Sequence, residues 1–125
     1  MILPSTAPKG SSPRPTWSGH STGSSGVTDL GAALEKCDWV QESAPERLDV
    51  KRALFTELDR RAPQDAILAS STSALDPAAI FERLPGARRC LVAHPFNPPH
   101  VIPVVETLPS PGTEPGGYRG GGILP

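Results

Sequence analysis

A histidine and a carboxylate bracket a proline-stiffened bend in the stretch Leu91–Glu106, LVAHPFNPPHVIPVVE. Leu91, Val92 and Ala93 read as a short buried strand that breaks at His94. Asn97, Pro98 and Pro99 make the bend, and a second apolar run ends in Glu106. A tight return would bring Glu106 back to the His94 ring. There the carboxylate fixes the imidazole tautomer and stabilises the imidazolium that forms when the other ring nitrogen takes a proton, as a general base requires. Spacing alone leaves a plainer reading open, in which His94 caps a strand end and Glu106 sits on the surface.

Other chemistries fit less well. Cys90, His94 and His100 are three metal-ligating types in one segment, but no fourth ligand accompanies them and the strand residues that follow Cys90 are apolar, which disfavours zinc. Ser73 lacks a G-x-S-x-G elbow, which argues against a serine hydrolase. Gly19, Gly23 and Gly26 miss the G-x-G-x-x-G spacing of a phosphate-cradling loop and follow no strand. Arg88 and Arg89 precede a strand, where adjacent arginines more often form a solvated edge than an anion site.

Composition bounds the scaffold. The chain has 125 residues, room for one modest domain, but its 16 prolines and 12 glycines exceed what a compact α/β core spread over the whole length would carry. Residues 1–26, rich in Ser, Gly, Pro and Thr, lack the branched apolar side chains needed to offset ordering entropy and read as disordered. The Pro/Gly-rich residues 109–125 read likewise as a disordered tail. A net charge of −1 with interleaved signs gives no footprint for nucleic acid or an anionic membrane, and no apolar run reaches the length of a membrane span. The N-terminus has no apolar signal segment. Two distant cysteines, Cys37 and Cys90, fit a reducing, cytoplasmic setting.

The elements between these flanks must position the bend. Thr28 or Asp29 caps a predicted short helix to about Lys36, and Asp38–Gln41 reads as a strand. Ser43-Ala-Pro-Glu46 matches a capping box, predicting a helix from Pro45 to about Arg61 with an apolar stripe of Val50, Ala53, Leu54 and Leu58 and a Glu57–Arg61 pair. Ala66–Ala69 reads as a strand covered on both faces, Asp76 as the cap of a helix to about Leu84, and Cys90–Ala93 as the next strand. The expected fold is α/β, the latter half (βαβαβ) of a partial Rossmann-like parallel sheet. In such a sheet the loops leaving the carboxyl ends of the strands share one edge, where ligands bind. Glu42–Glu46, Ser70–Ser73 and His94–Asn97 therefore lie side by side, a polar set suited to proton transfer at a hydroxyl or carbonyl.

The motifs Val40-Gln-Glu-Ser-Ala-Pro-Glu46, Lys51, Ser70-Ser-Thr-Ser73, His94-Pro-Phe-Asn-Pro98 and Val104-Val-Glu106 closely resemble, in order and interval, the latter part of the NAD-binding domain of L-3-hydroxyacyl-CoA dehydrogenases. The resemblance covers about residues 27–106, so that residues 27–108 form a partial NAD-binding domain. The variants SSTS and HPFNPP are most similar to the branch of λ-crystallin (L-gulonate 3-dehydrogenase) and carnitine dehydrogenases. What the resemblance implies is NAD-dependent oxidation of a 3-hydroxy group to a ketone in fatty-acid or small hydroxy-acid metabolism. His94 would be the base, Glu106 its orienting carboxylate, and Ser73 and Asn97 would bond the substrate oxygen or cofactor. Glu46 and Lys51 would contact NAD near the nicotinamide ribose. The substrate would be an acyl-CoA, a sugar acid or a carnitine-like molecule. Residues 1–26 carry neither the glycine fingerprint nor the acidic ribose ligand of the family, and the second, helical domain that encloses substrate and forms the family homodimer is not represented. The flanks read as foreign sequence on a family core, such as a truncated or misread frame would produce. An alternative function is accordingly a non-catalytic structural protein of the same descent, like a crystallin, or an inactive truncated product.

Overall fold

The computed structural model describes residues 2–4 and 26–114. In chain order the elements are β1 (Ile2–Pro4), α1 (Leu30–Leu34), β2 (Cys37–Glu42), α2 (Leu48–Arg61), β3 (Ile67–Ser70), α3 (Pro77–Phe81), a single 3₁₀ turn (Ala87–Arg89), β4 (Cys90–Pro95) and β5 (Val105–Pro109). They form one sheet in the order β1-β2-β3-β4-β5. The centre is the expected parallel βαβαβ unit of a partial Rossmann-like fold, β2 beside β3 beside β4.

Two outer strands flank this unit and run antiparallel, β1 against β2 and β5 against β4. A parallel neighbour needs a crossover of a dozen or more residues, whereas the chain between Pro95 and Val105 turns back directly, with Phe96 N–H donating to the Val104 carbonyl at 3.0 Å. Ile2–Pro4 thus take up strand structure that composition did not predict, while residues 5–25 and 115–125 lie outside the described residues. The expected tail boundary at residue 109 falls inside described structure. Pro109 closes β5, Ser110 is buried, and the Thr113 hydroxyl donates to the Cys90 carbonyl at 2.6 Å.

Two successive crossovers of the same hand, each advancing one strand in the same direction, place their helices on one face. Leu34 of α1, Phe55 and Leu58 of α2 and Ile80 and Phe81 of α3 accordingly pack with Val40, Leu68, Cys90 and Val92 in one core. Phe55 and Phe81 meet edge to face, ring centroids 4.9 Å apart, a geometry worth about 0.5–1.5 kcal/mol beyond area burial. The opposite face holds a smaller cluster of strand residues, Ala69, Leu91 and Ala93, flanked by Trp39, Ile67 and Val105. Among the described residues β3 therefore has helices on one face only, not on both as its apolar run implied.

Helix α2 differs from its prediction at both its start and its buried stripe. The capping box does not form: Ser43 Oγ lies 3.1 Å from Ser71 Oγ, and Glu46 bonds across to Thr72 and Ala74, so the helix starts at Leu48 after an Arg47 cap with no side-chain bond. Long-range polar partners outcompete the local motif. The buried positions are Lys51, Phe55 and Leu58, and Ala53 is exposed. Sequence patterning passes over Lys51 because it is charged. The expected Glu57–Arg61 pair is present at 2.9 Å.

At α3 the local signals hold. Asp76 accepts from Ala78 N–H at 2.9 Å with Pro77 in the first turn. Asp76→Ala is expected to cost about 0.5–2 kcal/mol, read as a lower urea midpoint at unchanged slope. Arg89 is a correction. It is 7% exposed and bound to Asp59 and three backbone carbonyls, not solvated, while its neighbour Arg88 is exposed and faces Glu114. No helix among the described residues is long and apolar enough to cross a membrane.

Candidate active site

The three polar clusters expected at the carboxyl ends of the parallel strands do meet. Gln41 Nε2, on β2, donates to Ser71 Oγ at 2.7 Å and to the Ala93 carbonyl at 2.8 Å, joining all three strand ends beside His94. Ser71 N–H donates to the Glu42 carbonyl at 2.8 Å, and Ser70 Oγ to Glu42 Oε2 at 2.6 Å.

His94 is opposite Glu106 in the β4–β5 register, on the face that carries the helices. Nδ1 lies 4.0 Å from Glu106 Oε2, beyond hydrogen-bond length but close enough for an ion pair once the ring is protonated. His94 is partly open at 27%, and Glu106 more so at 54%. The tight return thus brings the two residues together as their spacing required. A cavity of about 390 Å³ opens over them, lined also by Thr72, Ser73, Asp76 and Leu108.

The other expected residues lie around this cavity. Ser73 lines it, whereas Asn97 stands outside the lining, exposed in the β4–β5 loop next to a cis Asn97–Pro98 bond. Glu46 reaches the cavity wall through Thr72, whose hydroxyl donates to Oε1, and through Ala74 N–H at 3.3 Å. Lys51 is enclosed, 1% exposed, with its ammonium on Glu42. Cys90 packs in the core with its thiol on the Gly86 carbonyl, and burial pushes its pKa up to about 12, so it behaves as a core group. Among the described residues no cluster of metal-ligating side chains forms.

Burial tends to raise the Glu46 carboxyl, but the Thr72 hydroxyl, the Ala74 and Ser73 amides and the Lys51 charge outweigh it and hold the group below its ordinary value. A carboxyl lowered in the folded state adds stability above its unfolded pKa and loses it as pH falls through the lower folded value. Wild type is therefore expected to lose more stability than Glu46→Gln between about pH 5 and pH 3, measured by urea melts at each pH.

Sequence reasoning placed Glu42, Ser70 and Thr72 in the clusters at this edge without assigning their contacts, and it read Gln41 only as a strand residue. Their partners lie 9 to 52 residues away, so no local spacing marks them.

Residues 5–118 match the family described as 3-hydroxyacyl-CoA dehydrogenase, NAD binding domain. The chain belongs to this family. It is similar to the λ-crystallin homolog of Bos taurus, 48% identical over 91 residues, covering 73% of this chain and 28% of that protein. It is also similar to an L-carnitine dehydrogenase of a Pseudomonas species, 44% identical over 82 residues, covering 66% and 26%. Among solved structures, 3-hydroxybutyryl-CoA dehydrogenase of Escherichia coli superimposes with a TM-score of 0.71 at 34% identity over 75% of this chain and 20% of that one. The chain thus spans about a quarter of the length of these curated relatives. As a member of this NAD-binding dehydrogenase family it takes NAD as cofactor. The described residues fit one end of such a ligand. Glu46 is 41% exposed and uses one oxygen for its two bonds, which leaves acceptor capacity for a ribose hydroxyl beside a cavity walled by the Thr72 and Ser73 hydroxyls.

Proposed function

We propose that this edge is the proton-transfer half of a dehydrogenase site that oxidises a 3-hydroxy group to a ketone. The observation that carries the reading is His94 at the end of a parallel strand, opposite Glu106 and facing a cavity. With Nδ1 on the Glu106 side, Nε2 takes the substrate hydroxyl proton and Glu106 stabilises the resulting imidazolium. NAD, when bound, supplies the acceptor for the hydride that leaves the carbinol carbon. Ser73, in the cavity wall, donates to the substrate oxygen, and Asn97 reaches the same oxygen or the cofactor from the β4–β5 loop. Glu46 accepts from a ribose hydroxyl, and Lys51 supports it from behind. The substrate is a 3-hydroxy compound: an acyl-CoA or a carnitine-like molecule, in keeping with the named activities of the relatives, or the sugar acid that the motif resemblance implies.

The test is a fluorescence titration of the chain with NADH, followed by assays with 3-hydroxybutyryl-CoA, L-gulonate and L-carnitine. Saturable binding weakened by Glu46→Gln is expected. Turnover is expected to be low in the isolated chain and to rise when residues 26–114 replace the matching segment of the bovine λ-crystallin homolog, because enclosure of the substrate from water then comes from the remainder. No NADH binding, together with an inactive but folded chimera, would remove the reading.

A further inference from the structure

Lys51 is a charged residue on the buried stripe of α2, and its three donors are fully used. Glu42 Oε1 lies 2.8 Å from its ammonium, Glu42 Oε2 3.0 Å and the Ala44 carbonyl 3.1 Å. Glu42 is equally enclosed, its side chain 0% exposed, and also accepts from the Ser70 hydroxyl and the Ala44 N–H. Glu46 stands next in line, with Oε2 3.5 Å from the same ammonium, while Oε1 holds Thr72 and Ala74. Two carboxylates therefore compete for one cation, and the buried one has its donors.

We propose that Glu42 is a positioning residue of the cofactor edge: by occupying the donors of Lys51 it keeps the Glu46 carboxylate on Thr72 and Ala74, where a ligand hydroxyl reaches it. Without the Glu42 charge the ammonium would draw Glu46 inward. Its Oε2 then closes to hydrogen-bond length, the bonds to Thr72 and Ala74 are lost, and the loop that lines the His94 cavity loosens. The identity of the ligand rests on the function proposed above, whereas the position of Glu46 does not.

The experiment compares wild type, Glu42→Gln and the double variant Glu42→Gln/Lys51→Met in the full chain. It reads the Glu46 carboxyl titration by NMR, amide exchange at Ala74 and NADH affinity. In Glu42→Gln the Glu46 titration is expected to change, because the carboxylate gives up its Thr72 and Ala74 donors for the ammonium. Ala74 exchange should speed up and NADH affinity fall by about tenfold or more, the loss of one charge-assisted hydrogen bond. The double variant removes the cation as well and replaces a buried ion pair by neutral groups, a change that folded proteins tolerate. It is expected to return Ala74 exchange to near wild type. An unchanged Glu46 titration and Ala74 exchange in Glu42→Gln would overturn the proposal. So would a double variant with fast Ala74 exchange, which decides the matter even where the single variant fails to fold. A wild-type chain that binds no NADH, with a Glu42→Gln variant that shows the changed Glu46 titration and faster Ala74 exchange, would sink the functional reading and support the positioning role.

Discussion

His94→Ala is expected to lower turnover by about 10²–10⁴-fold, the usual contribution of a positioned general base, while leaving NADH affinity nearly unchanged. The measurement belongs in the active chimera with the bovine λ-crystallin homolog, with kcat and NADH affinity determined separately. The asymmetry follows from where the ring stands. His94 faces the cavity at the end of β4, whereas the Glu46 network lies across it at the ends of β2 and β3. A base acts on the hydroxyl proton and its benefit appears in the transition state, so its loss shows in kcat. Glu106→Gln is expected to act in the same direction with a smaller effect, because it weakens the imidazolium without removing the base. Equal losses of turnover and NADH affinity in His94→Ala would mean that His94 is structural.

Arg89→Ala is expected to destabilise the fold by about 3–5 kcal/mol, a drop in melting midpoint of more than about 12 °C for a domain of this size. The guanidinium bonds Asp59 Oδ1 at 2.9 Å and the Asp59 carbonyl at 2.8 Å, and it also reaches the Pro63 and Ala66 carbonyls. It thereby joins the last turn of α2 to the loop that leads into β3, at the end of the sheet away from the cavity. Alanine would leave a nearly buried Asp59 carboxylate without its cation and take a donor from three carbonyls, of which Pro63 keeps the Ala66 N–H at 3.0 Å. Gly86 adds to the constraint. Its N–H donates to Asp59 Oδ2 at 3.0 Å, and a Cβ there would fall 1.9 Å from Asp59 Oδ1. Arg89→Lys should recover part of the loss, since one ammonium keeps the charge but cannot span the same acceptors. A midpoint for Arg89→Ala within a few degrees of wild type would show that the cluster does not hold this end together.

Much of the parallel unit was legible because its signals are local. Asp76 and Pro77 marked the start of α3, and the apolar runs at 66–69 and 90–93 marked β3 and β4. The site was legible for a related reason. Parallel strands put their exits on one edge, so the order of the polar clusters at 42–46, 70–73 and 94–97 sufficed to bring them together. The path of the chain after the site was only partly legible. Proline-rich spacing announced a bend after His94, but the pairing of β5 with β4 had to be seen before Glu106 was known to stand opposite the ring.

The sequence by itself determined which residues reach the carboxyl edge and, through His94, Glu106 and the linked motifs, the family to which they belong. Only the tertiary structure decided which charges are buried there. Arg89 read locally as part of a solvated edge, Lys51 did not register in the buried stripe of α2, and Ser43 and Glu46 read locally as a helix cap. The physical reason is that a charge enters a core only where its donors and acceptors are met, and here the partners come from other elements. Lys51 finds Glu42 on β2, Arg89 finds Asp59 on α2, and Glu46 finds Thr72 after β3. Such matches depend on the folded arrangement of strands and helices, which local spacing does not encode.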